Sequence, residues 1–242
     1  MKVGVKIFTT DGPELLKDRM FADYFEVYVV PGHPADWLKE YDFEYTIHAP
    51  HAGHGVNLAS KELQKSSLDA VSQAIHAADL LNSNIVVVHA SASKNKPGEA
   101  DMEILRQSLS QIDDSRIILE NQPCRVGYEY YFPYDYASAK QIASRYGNRI
   151  CLDFSHAMVS SVTLGLDPKE LIAGLLKLNV RLFHISDGRK GLAEDLHLPL
   201  HKGDFDLEYF RDIIKKSDCK RVTMETPIDP QSQKEEYGWM KK

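Results

Sequence analysis

Apolar residues fall into eight short runs, separated by longer segments whose apolar positions recur at helical spacing. The runs cover residues 3–8, 24–30, 44–50, 84–90, 116–121, 149–156, 180–187 and 221–227. Most are rich in Val, Ile, Phe and Tyr, side chains that suit the pleated surface of a strand. Ile85-Val86-Val87-Val88 is apolar without a break, as expected of a strand covered on both faces in a parallel sheet. The clearest helix is predicted over 61–82, where Leu63, Leu68, Val71, Ile75, Ala78 and Leu81 share a face behind Ser60 as N-cap. Segments 101–112, 136–146, 168–178 and 206–214 read as helices too, and Asp167-Pro168 supplies a cap followed by a first-turn proline. Segments 15–21 and 35–41 predict shorter ones. Alternation of this kind, carried through eight strands in 242 residues, predicts an α/β fold, a (β/α)8 TIM barrel. An open doubly wound sheet fits less well, because no G-x-G-x-x-G follows the first strand. No Pro/Gly/Ser-rich linker interrupts the pattern, so residues 1–242 read as a single barrel domain. Residues 188–204 form a long loop, and the polar tail 231–242 reads as a short surface helix or a frayed end.

Composition narrows the class. At 43% hydrophobic residues the chain has ample material for a core, which excludes disorder. A formal charge of −6 argues against a nucleic-acid coat or a membrane-surface binder, but leaves room for a local basic groove. Three widely spaced cysteines argue against a disulfide scaffold and for reduced thiols, hence a cytoplasmic protein. The first residues read as a strand rather than a signal peptide, and no apolar run is long enough to span a membrane. The ten histidines are the unusual feature.

Chemistry in such a barrel sits at the C-terminal ends of the strands. Six successive runs end in ionisable residues: Ile47-His48, Val88-His89, Leu119-Glu120-Asn121, Leu152-Asp153-Phe154-Ser155-His156, Phe183-His184-Ile185-Ser186-Asp187 and Met224-Glu225-Thr226-Pro227. Burying several carboxylates side by side costs several kcal/mol each unless cations compensate. Imidazoles mixed with carboxylates make a transition-metal site. An ion-pair network instead would need interior Lys or Arg, and none of these six strand ends carries one. In the long loop, Asp195 and His197 are two apart, which in extended chain puts both on one side to chelate one ion. Asp153 and His156, three apart, are expected to face different ions.

Together with His48-Ala49-Pro50-His51 and Asn57-Leu58-Ala59-Ser60, these motifs resemble the endonuclease IV and xylose-isomerase-like TIM barrels, in order, from about residue 45 to 227. The resemblance implies up to three zinc ions. His48, His89 and Glu120 would hold one; Glu120, Asp153, His184 and Glu225 a second; His156, Asp195 and His197 a third. In the sugar isomerase/epimerase branch the middle set alone would hold one Mn or Mg, with Glu120 and Glu225 as catalytic base and acid. The chain departs from the nuclease pattern at Gln122-Pro123-Cys124-Arg125, where a Gly-containing, Ala-rich turn is usual. It departs again at Phe154-Ser155, at His51 in place of an aromatic that enters the DNA stack, and at His201 in place of a glycine.

Expected substrate contacts are His51, Asn121, Arg189 and His201. Lys94, Lys96, Arg125, Arg189 and Lys190 are loop cations available to a phosphate. Cys151 reads as core and Cys124 as the thiol near the site, without a role. No P-loop, G-x-S-x-G or H-E-x-x-H is present to supply other chemistry. The complete ligand set favours a metal-dependent phosphoester hydrolase, with abasic DNA or a small phosphorylated molecule as substrate. A sugar or sugar-phosphate isomerase/epimerase is the alternative. A non-catalytic metal-binding protein would show eroded ligands, and none is eroded.

Overall fold

A computed structural model describes residues 1–93 and 97–242. Along the chain the elements are β1 (Lys2–Phe8), α1 (Pro13–Lys17), β2 (Tyr24–Tyr28), β3 (Tyr45–His48), α2 (Gln64–Leu80), β4 (Val86–Val88), β5 (Ser91–Ser93), α3 (Glu99–Ser110), β6 (Ile117–Glu120), β7 (Arg125–Val126) and β8 (Glu129–Phe132). They continue with α4 (Tyr136–Ala143), β9 (Arg149–Asp153), α5 (Phe154–Leu164), α6 (Pro168–Leu175), β10 (Asn179–Ile185), α7 (Leu207–Lys216), β11 (Arg221–Met224) and α8 (Pro230–Met240). Eight strands pair in parallel and close in the order β1-β11-β10-β9-β6-β4-β3-β2, the predicted TIM barrel. Among the described residues no helix is long and apolar enough to cross a membrane.

Strand periodicity sorts the interior. Val3, Val5, Ile7, Phe25, Val27, Ile47, Val86, Val88, Ile117, Leu119, Ile150, Leu152, Phe183, Val222 and Met224 belong to the large core between barrel and helices. The alternate positions face the barrel axis. Tyr24, Ile85, Val87, Ile118, Cys151 and Leu182 fill its lower part. Gly4 makes room there, since a Cβ would collide with the Tyr24 ring. Two residues further along, the inward side chains turn polar on most strands: Lys6, Glu26, Thr46, His48, Glu120, Asp153, His184, Thr223 and Glu225. The barrel axis is thus apolar below and ionisable above.

Several boundaries differ from expectation. The strand expected to run on to His156 ends at Asp153, whose side chain accepts from the His156 N–H at 2.6 Å and caps α5. His156 therefore sits in a first helical turn. Helix α5 is unexpected, because residues 154–161 are all buried, polar Ser155, His156, Ser160 and Ser161 included, so no solvent-facing side sets a period. The segment 35–41 is one 3-10 helix, Asp36–Glu40. The short antiparallel sheet β5-β8-β7 is likewise additional. The tail is a helix, and Gln233, Glu236 and Met240 bury one side of it.

Candidate metal centre

The nine ligand candidates converge at the C-terminal mouth of the barrel. Their ligand atoms form three groups, each within 4.8 Å: His48, His89 and Glu120; Glu120, Asp153, His184 and Glu225; His156, Asp195 and His197. Glu120 belongs to the first two. Asp153 and His156 fall into different groups, as their spacing suggests.

Each of four histidines fixes its outer ring nitrogen and turns the other inward. His48 Nδ1 donates to the Ala49 carbonyl at 2.7 Å, leaving Nε2 3.2 Å from Glu120. His156 Nδ1 donates to the Asn121 carbonyl at 2.8 Å, leaving Nε2 3.1 Å from Asp195. His197 Nδ1 donates to the Glu225 carbonyl at 2.9 Å, leaving Nε2 2.7 Å from Asp195. His184 Nε2 donates to Glu26 at 2.9 Å, leaving Nδ1 2.9 Å from Glu225. This is the tautomer control that metal-binding histidines need.

The loop after β10 brings Asp195 and His197 to the mouth. Asp187 ties it down: its carboxylate accepts from the backbone N–H of Gly188, Gly203 and Phe205 at 2.8, 2.8 and 3.1 Å. Gly203 is required there, because a Cβ would overlap the Gly188 carbonyl oxygen. The Asp195–His197 pair does form, with His197 itself in the left-handed region (φ +44°) rather than extended.

Three buried atoms of the middle group, Glu120 Oε1, Asp153 Oδ2 and His184 Nδ1, make no hydrogen bond of proper geometry. Buried polar atoms are rarely left so, and a donor-atom set of this composition fits a divalent cation. The titration behaviour agrees. Burial would raise the Glu120 carboxyl, yet His89, His184 and His156 hold it well below the usual range. Burial and the neighbouring Glu225 and Glu120 charges push Asp153 up to about 6, against the pull of His156. Burial would lower His156, but Asp153, Asp195 and Glu120 raise it well above the ordinary value. Without a metal ion, the carboxylates thus favour protons on His156 and His184.

Two interior residues lie outside the expectation. Lys6 on β1 ion-pairs with Glu225 and stands 3.5 Å from Glu26, its Cα partner on β2. An interior lysine is therefore present, on a strand outside the six read as converging. Glu26, fully buried, accepts from His184 and from Thr223 Oγ1 at 2.8 Å; the hydroxyls of Tyr24 and Thr223 are hydrogen-bonded at 2.8 Å. The sequence does carry a signal: Lys6 and Glu26 each interrupt an otherwise apolar strand at an inward position.

A cavity of about 560 Å³ opens over the cluster, lined by Lys6, His48, His51, His89, His156, Asp195, His197 and Glu225, with Phe8, Tyr28, Val126, Tyr131, Leu196 and Ile228 among its walls. His51 is in place, stacked on His89 at 5.1 Å and pushed down to about 2 by burial and by His89, His48 and Lys6. The other three expected substrate contacts are placed elsewhere. Asn121 is fully buried and spends its amide on Asp153, accepting from its N–H at 2.8 Å and donating to its carbonyl at 2.9 Å. Arg189 lines a separate cleft with Met158, Leu166 and Phe205. His201 packs on Trp239 at 4.6 Å. Arg125 lies over the Tyr130 ring at 5.5 Å, and Lys190 is exposed. Lys94 and Lys96 lie outside the described residues. Cys151, rather than Cys124, brings its thiol within 4.8 Å of Glu120 and His184 ligand atoms.

The family model described as xylose isomerase-like TIM barrel matches residues 34–242. The chain belongs to this family. It is similar to a probable endonuclease 4 from Sulfurihydrogenibium sp. (strain YO3AOP1), 28% identical over 211 residues, 76% of this chain and 73% of the relative. Among solved structures, a D-tagatose 3-epimerase-like protein superposes with a TM-score of 0.77 at 21% identity, covering 99% of this chain and 98% of the other. Endonuclease IV from Thermus thermophilus superposes with a TM-score of 0.69 at 22% identity, covering 99% and 96%. One barrel therefore accommodates proteins named for both chemistries.

Proposed function

We propose that this xylose isomerase-like barrel is a zinc-dependent phosphoester hydrolase. The observation that carries the reading is the third ligand group, His156, Asp195 and His197, which stands beside the other two with its ring nitrogens oriented. A one-metal isomerase has no use for it. Divalent cations held by the three groups would supply Lewis-acid charge at phosphate oxygens and make water a nucleophile near neutral pH. The protein's part is positioning: Glu120 serves two groups at once, Asp187 holds the loop, and the apolar walls limit water. A cavity of this size suits a small phosphoester or one extruded nucleotide.

The test is metal content together with hydrolysis of p-nitrophenyl phosphate, a dianionic monoester, and of an abasic-site duplex. About three zinc per chain, falling with His156→Ala along with hydrolysis, supports the reading. Failure to cleave either substrate with zinc bound overturns it.

The isomerase/epimerase reading draws on the middle group alone and on the likeness to the D-tagatose 3-epimerase-like protein. It expects one Mn or Mg, indifferent to His156→Ala, with Glu120 and Glu225 exchanging protons with the substrate.

A further inference from the structure

We infer that Lys6 is a substrate-contacting residue, the protein's own cation for an anionic oxygen of whatever enters the cavity; the inference rests on the hydrolase reading and names the substrate as carrying a phosphate dianion or its equivalent. Among the described residues lining the cavity, Lys6 is the only Lys or Arg. It rises from β1 rather than from a loop, so its position is set by the barrel itself. Its side chain keeps 17% exposure, whereas Glu26 behind it has none.

The donor inventory points the same way. An ammonium has three N–H donors. Glu225 engages one, and Glu26 Oε1 stands 3.5 Å away without a hydrogen bond, so the ammonium keeps donor capacity for an occupant of the cavity. When a divalent ion takes up the charge of Glu225, the ammonium loses its stronger competitor for an incoming anion, while Glu26 still holds it from behind.

Charge gives the substrate class. Glu26, Glu120, Asp153, Asp195 and Glu225 with Lys6 sum to four negative charges when the histidines are neutral ligands. Three divalent ions turn this into two positive charges, the complement of a phosphate dianion. With a single ion the sum is two negative charges, which would repel an anion and admit only a neutral substrate. Lys6 and the third ligand group thus point to the same kind of ligand.

The experiment titrates inorganic phosphate into the zinc-loaded protein by calorimetry, for the native chain, Lys6→Met and Lys6→Arg, with zinc counted in each. The expected result is unchanged zinc content, phosphate binding weakened about 10-fold or more in Lys6→Met, and substantial recovery in Lys6→Arg. Reductive methylation of the native zinc protein, read by mass spectrometry, gives a check that needs no variant: phosphate should slow labelling of Lys6. Phosphate affinity blind to Lys6→Met, zinc loss in that variant, or labelling indifferent to phosphate overturns the inference, since Lys6 would then be only a counter-ion. A native protein that takes up one metal ion instead of three fails the hydrolase reading itself, a result visible before any Lys6 variant is made.

Discussion

An imidazole is oriented as a ligand when its outer nitrogen is committed elsewhere, and His184 commits its own to a carboxylate rather than to the backbone. Glu26 thereby raises the basicity of the inner nitrogen while accepting from Thr223. The isosteric Glu26→Gln should weaken zinc binding by about 10- to 100-fold, measured by competition with a chromogenic chelator, with little change in far-UV circular dichroism. Unchanged affinity would mean that His184 needs no such partner. At this scale the ligands were legible because each follows an apolar run at a strand end or sits in the Asp195-Leu196-His197 loop. Lys6 and Glu26 show in the sequence only as charged breaks in apolar strands; that they pair across β1 and β2 is a matter of register, which no local motif records. Arg189 and His201 illustrate the converse. Proximity in sequence to His184 or His197 placed them near the site, and the path of the loop carried them away from it.

The ends of elements explain what else was hidden. Asp153 ends β9, caps α5 through the His156 N–H and offers a carboxylate oxygen to the middle ligand group. Its two roles separate by substitution. Asp153→Asn keeps a capping oxygen and removes the charge, so zinc affinity should fall more than about 100-fold while the chelator-treated protein keeps its stability. Asp153→Ala should lose the same affinity and a further ~1 kcal/mol from the missing cap. Urea denaturation of the chelator-treated variants makes the comparison, and equal stability of the two would remove the capping role. Asn121 joins the ends of β6 and β9 in the same way, through two hydrogen bonds to the Asp153 backbone. Asn121→Ala takes the acceptor from the buried Asp153 N–H and one of two donors from its C=O, and should cost about 1–3 kcal/mol, read from the same urea curves. The barrel order was legible from alternating runs and helical spacing. Helix α5 was not, because burial on all sides erased its period, and the small sheet β5-β8-β7 was not, because its strands are only two to four residues long.

For the whole molecule, the upper barrel holds many charges that only bound cations fully balance, and this fixes how stability must depend on pH without metal. Raised groups set the direction above neutrality. Asp153, with a folded value of about 6 against an ordinary carboxyl, contributes stability that is present at low pH and lost as pH rises through 6. Burial would lower His197, but Asp195 and Glu225 raise it to about 9, so its contribution is complete below its unfolded value and lost through pH 9. His156 and His184, raised further, act in the same sense. The lowered groups oppose this only at lower pH. Glu120, Glu225 and Asp195 are already ionised in the unfolded chain above about pH 5. His89 and His51, lowered to about 4 and about 2, have delivered their contribution once the unfolded imidazole is neutral near pH 7. Between pH 7 and 9.5 the raised histidines therefore dominate, and the melting temperature of chelator-treated protein should fall across that window. Cys151, its thiol raised by burial, adds to the same fall only at the top of it. Partly exposed His197 contributes less than the buried pair, because solvent screens it. Zinc reverses the dependence: ligands must shed their protons to bind it, so affinity rises with pH and stabilisation grows as the logarithm of zinc over its dissociation constant. Thermal melts with chelator and with excess zinc at pH 7, 8, 9 and 9.5 should diverge steadily. Parallel curves would mean that the cluster is balanced by its own protons and that zinc does not compete for them.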